Sequence, residues 1–187
     1  MRLILIRHPE PEGASGVCYG RTDLPVSKGV LDLAGGRLVE ALGEPAVVCV
    51  SSPLCRCAAL ARRLADDVIL DDRLVELDFG AWEGRRWDDI DRDEFDSWAV
   101  DYVHRRVPGG ESWVDVSDRV GSFLSDLRTS NTDQVVAVTH AGVIRAILAV
   151  VLDIALEQTW RIAIPFGCVV TVELGTKGQD DRLIGIT

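Results

Sequence analysis

Arg7 and His8 end a short apolar run, Arg2-Leu3-Ile4-Leu5-Ile6, and Pro9 follows at once. A second histidine, His140, ends the run Gln134-Val135-Val136-Ala137-Val138-Thr139 and leads into Ala141-Gly142. Arg56 stands shortly after a third run at residues 46–51, in the block Ser52-Pro53-Leu54-Cys55-Arg56. Two guanidiniums offer forked donors that match the oxygens of a phosphoryl group. A helix starting at Ala141-Gly142 would add free backbone N–H groups and a positive dipole end. Neutral imidazole attacks phosphorus near neutral pH, and cationic surroundings favour that neutral form. The chemistry open to these side chains is therefore phosphoryl transfer through His8. No P-loop or dinucleotide fingerprint is present, so the phosphate would belong to a substrate and not to a nucleotide cofactor.

These residues need elements that bring them together. The apolar runs at 2–7, 46–51 and 134–139 read as buried strands, with a short one at 68–70 and two closing strands at 169–174 and 183–186. Helical stretches lie between them. One is capped by Ser27 and runs to about Leu42, and one is capped by Ser52 with Pro53 in its first position and runs to about Ala65. Another is opened by Ser112, with Asp115 completing a variant capping box, and ends near Leu127. Two more span 143–152 and 155–162. Strands alternating with helices predict an α/β fold, a three-layer α/β/α arrangement around a mainly parallel central sheet. In such a sheet Arg7, His8, Arg56 and His140 share the crevice at the C-terminal strand edge.

A single domain over 1–187 is expected, with a small helical cap around 84–112. Within that cap Trp87, Phe95, Trp98 and Tyr102 are spaced as on one helix face. The 187 residues are 47% hydrophobic with a net charge of −10, enough to bury a core and a poor match to nucleic acid or an anionic membrane. The longest apolar run, 146–152, is far short of the ~18 residues of a membrane span. The first apolar run is too short for a signal peptide. The five cysteines are odd in number, and Cys55 and Cys57 lack CxxC spacing, which predicts free thiols in a reducing cytoplasm. The expected partner is a small phosphorylated metabolite, and a homodimer is among the assembly states left open.

Five ordered motifs carry a resemblance: Arg7-His8; Ser52 to Arg56; Leu74-Val75-Glu76 leading to Phe79-Gly80-Ala81-Trp82-Glu83-Gly84; Pro108-Gly109-Gly110-Glu111-Ser112; and Val138-Thr139-His140-Ala141-Gly142. From Leu3 to about Leu152 the chain resembles the histidine phosphatase superfamily, also called phosphoglycerate mutase-like. The resemblance implies that His8 is the nucleophile and becomes a phosphohistidine, with Arg7, Arg56 and His140 stabilising the phosphoryl oxygens. Glu76 matches the proton donor, and Glu83 is a second acid in the same segment. Pro9 stands where a glycine is usual and should stiffen the backbone after His8. Ala14 and Ser15 occupy the place of a common asparagine, and Ala141 replaces a glycine.

The loop at 16–25, with Tyr19-Gly20-Arg21-Thr22-Asp23, and the stretch from Thr139 to Arg145 resemble bacterial α-ribazole phosphatases. The resemblance implies hydrolysis of α-ribazole 5′-phosphate, an ester of cobalamin assembly. Tyr19, Arg21, Thr22 and Ala141 are candidate substrate contacts, with Arg21 and Thr22 equally readable as turn residues before Pro25. Trp82, the cap aromatics and Trp113 are open to base stacking or core packing, and His104-Arg105-Arg106 reads as a solvated basic loop. Phosphoglycerate mutase-type transfer and a non-catalytic phosphate-binding module are the alternatives. No cofactor or metal is expected, since two arginines do what divalent ions do elsewhere. Phosphate release should therefore survive exhaustive chelation, and a loss restored by Mg²⁺ would refute this.

Overall fold

The computed structural model describes residues 1–43, 48–176, 178 and 180–187. The chain forms β1 (Arg2–Arg7), α1 (Lys28–Leu42), β2 (Cys49–Ser51), α2 (Cys55–Ala61), β3 (Val68–Leu70), α3 (Arg92–Ala99), α4 (Trp113–Thr129), β4 (Gln134–Thr139), α5 (Ala141–Leu152), β5 (Val169–Glu173) and β6 (Arg182–Ile186). Short 3₁₀ turns lie at Asp72–Leu74, Gly80–Trp82, Trp87–Asp89 and Leu156–Arg161.

One six-stranded sheet runs in the order β3-β2-β4-β1-β5-β6. The pairs β3–β2, β2–β4 and β4–β1 are parallel, whereas the pairs β1–β5 and β5–β6 at one side are antiparallel, so that β5 alone runs against the other strands. The expected α/β architecture with a mainly parallel sheet is thus observed. Side-chain alternation explains why both faces are covered. Leu3 and Leu5 of β1, with Val135 and Ala137 of β4, pack against Phe123, Leu124, Ile144 and Ile147 of α4 and α5. Ile4, Ile6, Val136 and Val138 point the other way, onto Leu31, Leu38, Leu60 and Leu64 beside α1 and α2.

The helix boundaries follow local chemistry. Ser27 caps α1 through Val30 N–H, and Gly43 ends it in the left-handed region at φ 77°. Ser112 and Asp115 form a complete capping box at the start of α4. Elsewhere the expectation needs correction. Helix α2 begins at Cys55 after an N-cap at Leu54, with no side-chain cap bond, so Pro53 lies outside it. The last predicted helix is a 3₁₀ segment, and the aromatic stretch is split between the turn at Trp87–Asp89 and α3. Of the predicted strand at 46–51, residues 46 and 47 lie outside the described residues.

Trp82, Cys18, Ile90 and Val107 make a separate small core, with Phe79, Phe95 and Trp98 against it. His104, Arg105 and Arg106 are exposed and engage Asp101, Ser97 and Asp115. Among the described residues no helix is long and apolar enough to cross a membrane.

Leu5 is fully buried at the middle of the central strand. Leu5→Ala should cost about 2–5 kcal/mol of stability. The readout is a lower urea midpoint at unchanged slope, and an unaffected midpoint would mean that the site collapses around the lost side chain.

Candidate active site

The sheet order decides which loops meet. In the parallel pairing of β1 with β4, Arg7 sits opposite Thr139, so the next residues on each strand, His8 and His140, emerge side by side. The His8 amide donates to Thr139 O at 3.1 Å, and the two imidazoles meet edge to face with centroids 5.0 Å apart. On the other side of β4, Ser51 of β2 is level with Val138, which sets Ser52 beside His140. Their Oγ and Nε2 are 2.9 Å apart. Ser52 Oγ thus meets His140 closely and accepts only a long bond, 3.4 Å, from the amide of Leu54 at the start of α2.

His8 Nδ1 lies 2.6 Å from Pro9 O. A carbonyl only accepts, so Nδ1 carries the proton and Nε2 keeps its lone pair. Burial lowers the His8 pKa to about 3, with Arg56 and Arg7 adding to the effect and the Pro9 bond opposing it. His140, wholly buried, is also held well below the ordinary value, by burial first and then by His8 and the nearby arginines. Both rings are neutral at rest. Cys57 Sγ is 3.4 Å from His140 Nε2, but burial pushes its thiol up, so it offers no rival nucleophile.

The guanidiniums are anchored by carbonyls. Arg7 donates to Ile164 O and lies 3.7 Å over the Phe166 ring. Arg56, fully buried, donates to Thr22 O at 2.8 Å and to Gly20 O at 2.5 Å. Each keeps a buried Nε–H without a partner among the described residues. Such donors are costly unless an acceptor arrives, and a phosphoryl oxygen is a suitable one.

Glu76 enters from the segment after the first 3₁₀ turn, which Thr139 Oγ1 ties to β4 by donating to Leu74 O at 2.7 Å. Its carboxylate accepts from Leu77 N at 3.0 Å and from Gly142 N, at the start of α5, at 3.1 Å. A Cβ on Gly142 would fall 2.2 Å from Glu76 Oε1, so the close approach requires glycine there.

Arg7, His8, Tyr19, Arg56, Glu76, His140 and Ala141 line one cavity of about 200 Å³, as the sequence predicts for these seven. Arg21 and Thr22, predicted as substrate contacts, do not line it. The Arg21 guanidinium faces Asp78 and Glu111, at 3.3 Å and 3.6 Å. Thr22 donates through both its amide and its hydroxyl to Glu83. Glu83 does not line the cavity either. It collects the amides of Gly20, Arg21, Thr22 and Phe79, at 2.8–3.1 Å. Burial pushes its carboxyl up, but these donors outweigh that and hold it below the usual range. Sequence reasoning missed Trp160 and gave Arg145 no role, although both line the cavity. Arg145 lies one helical turn beyond Ala141, a spacing that was a usable signal; Trp160 had none. Among the described residues no cluster of His, Cys, Asp and Glu could hold a metal.

Residues 3–186 match the histidine phosphatase superfamily (branch 1). The chain belongs to this superfamily. Among its relatives, phosphoserine phosphatase 1 of Hydrogenobacter thermophilus is 32% identical over 177 residues, covering 90% of this chain and 82% of the relative. The adenosylcobalamin/alpha-ribazole phosphatase of Escherichia coli K12 is 27% identical, covering 98% and 95%. The solved mycobacterial glucosyl-3-phosphoglycerate phosphatase superposes with a TM-score of 0.85 at 25% identity, covering 98% and 96%. These histidine phosphatase relatives share a fold and carry names of three different substrates.

Below the ordinary histidine value of 6.5, an unfolded chain takes up a proton that folded His8 refuses, so this group costs stability as pH falls from 6.5 towards about 3. In the free protein the ring resonances of His8 and His140 should stay constant from about pH 8 to about pH 5. An NMR titration midpoint near 6.5 for either ring would refute the neutral pair.

Proposed function

We propose that this protein is a phosphomonoesterase that hydrolyses a small phosphorylated metabolite through a phosphohistidine on His8. The observation that carries the reading is the His8 imidazole itself, neutral, with Nδ1 tied to Pro9 O, in one cavity with two arginines that each keep an unpartnered N–H donor. Nε2 attacks phosphorus, the P–N bond forms and the ester P–O bond breaks. Arg7 and Arg56 carry the charge on the phosphoryl oxygens, and His140 borders the same site. The Pro9 carbonyl steadies the positive charge that develops on the ring. Glu76 gives its proton to the departing alkoxide. It then takes a proton from water, whose oxygen attacks phosphorus as the P–N bond breaks, releasing phosphate and neutral His8.

A second reading of the substrate is α-ribazole 5′-phosphate. It is supported by the aromatic lining, Tyr19, Phe79, Trp87, Trp113 and Trp160, which offers rings to stack on a planar base. The E. coli relative's name points the same way. Trp82, by contrast, is wholly buried in the small core and is not available for stacking. The cap expected around 84–112 would supply Trp87 to this wall. The cavity of about 200 Å³ favours a compact ester, since pockets for drug-sized ligands span roughly 300–1,000 Å³.

The purified protein should release phosphate from 4-nitrophenyl phosphate, and His8→Ala should lower that release by about 10³-fold or more. Glu76→Gln should slow alkyl esters by about 10²- to 10⁴-fold and the activated aryl ester much less. Equal losses would move the proton to another group. Transfer between two phosphoglycerate positions without release would make the protein a mutase, and binding without turnover would make it a receptor.

A further inference from the structure

Arg145 is the one guanidinium of the cavity wall that the phosphoryl chemistry leaves unused. It is the fifth residue of α5, above Ala141 and Gly142 on the same helical face. Helical side chains lean towards the N-terminus, which carries this one back to the cavity where it lines the wall with Glu76 and His140. Its Cζ lies 4.4 Å over the Trp160 ring. Trp160 is braced by edge-to-face contacts with Tyr102 and Trp113, at 6.2 Å and 5.8 Å. The indole thus holds the guanidinium by a cation–π contact that takes up none of its hydrogen-bond donors.

Among the described residues Arg145 makes no hydrogen bond and no ion pair, and its Nε is buried without a partner. This is notable in a chain with 30 acidic residues. Glu76 lies close enough to act on it electrostatically, but both Glu76 oxygens are engaged by the amides of Leu77 and Gly142. Burial works against the Arg145 charge, a penalty that an incoming anion would offset.

We propose that Arg145 is the specificity-determining residue of this site and receives a carboxylate borne by the phosphate ester, so that the substrates are small phosphorylated acids. This deepens the phosphomonoesterase reading and rests on it. A planar fork with its donors unpartnered matches a carboxylate in bidentate fashion. A second phosphate is a poorer occupant, because the cavity is about 200 Å³ and Arg145 is the only wall guanidinium beyond the pair that binds the first. The cation–π contact with Trp160 holds the fork before the substrate arrives, which reduces the entropy lost on binding.

The test compares kcat/KM within matched pairs: O-phosphoserine against O-phosphoethanolamine, and 3-phosphoglycerate against glycerol 3-phosphate. The wild-type protein should favour the acid in at least one pair by roughly 10- to 100-fold. In Arg145→Met the ratio should fall towards one, chiefly through KM, and Arg145→Lys should restore only part of it. An assay independent of variants uses the wild-type protein alone. Phosphonoacetate should inhibit 4-nitrophenyl phosphate hydrolysis about tenfold more tightly than ethylphosphonate. Equal ratios within both pairs, equal inhibition, or turnover confined to α-ribazole 5′-phosphate would overturn the role of Arg145 and leave the phosphatase reading standing. Absence of phosphate release from 4-nitrophenyl phosphate would sink the phosphatase reading itself.

Discussion

The parallel pairing of β1 with β4 is the constraint on which the site rests. Its register sets Arg7 against Thr139, and from that His8 and His140 follow as neighbours. The same register sends Leu3 and Leu5 to one core and Ile4 and Ile6 to the other. A slip of one residue would reverse every one of these side chains, so the hydrophobic layers on both faces hold the two histidines in place. Core packing and catalytic geometry are fixed by one set of backbone hydrogen bonds. Strand β2 on the far side of β4 extends the arrangement by delivering Ser52 to His140 and Arg56 to the cavity.

The electrostatics follow a consistent pattern in a chain of net charge −10. Many arginines away from the cavity pair with carboxylates, as Arg63 does with Asp32 and Arg73 with Asp71 and Asp126. The arginines of the cavity do not. Arg7 and Arg56 are held by backbone carbonyls, and Arg145 by an indole ring. Such anchors fix position without cancelling charge. With both histidines neutral, the positive potential of the site comes from the guanidiniums, and it is preserved for an anion.

Much of this was legible in the sequence because strands and their ends carry strong local signals. The apolar runs ending at Arg7-His8 and Thr139-His140 gave both the sheet and the two histidines, and Ser27 and Ser112 marked their helices. What stayed hidden depended on tertiary pairing. Ser52-Pro53 has the local signature of a helix start, but Ser52 is drawn to His140 by the neighbouring strand. Arg21 and Thr22 lie in a loop with the right flavour for substrate binding, yet the loop turns them towards acids 57 to 90 positions away along the chain. Trp160 sits in a 3₁₀ turn with no apolar period to announce it, and only the packing of that turn against α5 brings it to Arg145.

Glu83 joins two distant stretches of chain into one part. Its carboxylate gathers the amides of Gly20, Arg21 and Thr22 on one side and of Phe79 on the other, while the carbonyls of Gly20 and Thr22 grip Arg56. Residues 16–25 and 79–86 are therefore a single module for protein engineering. A swap with a relative that exchanges only the first stretch separates the incoming amides from the carboxylate they were shaped around, and Arg56 loses its footing with them. Recombination between relatives is productive only when both stretches travel together.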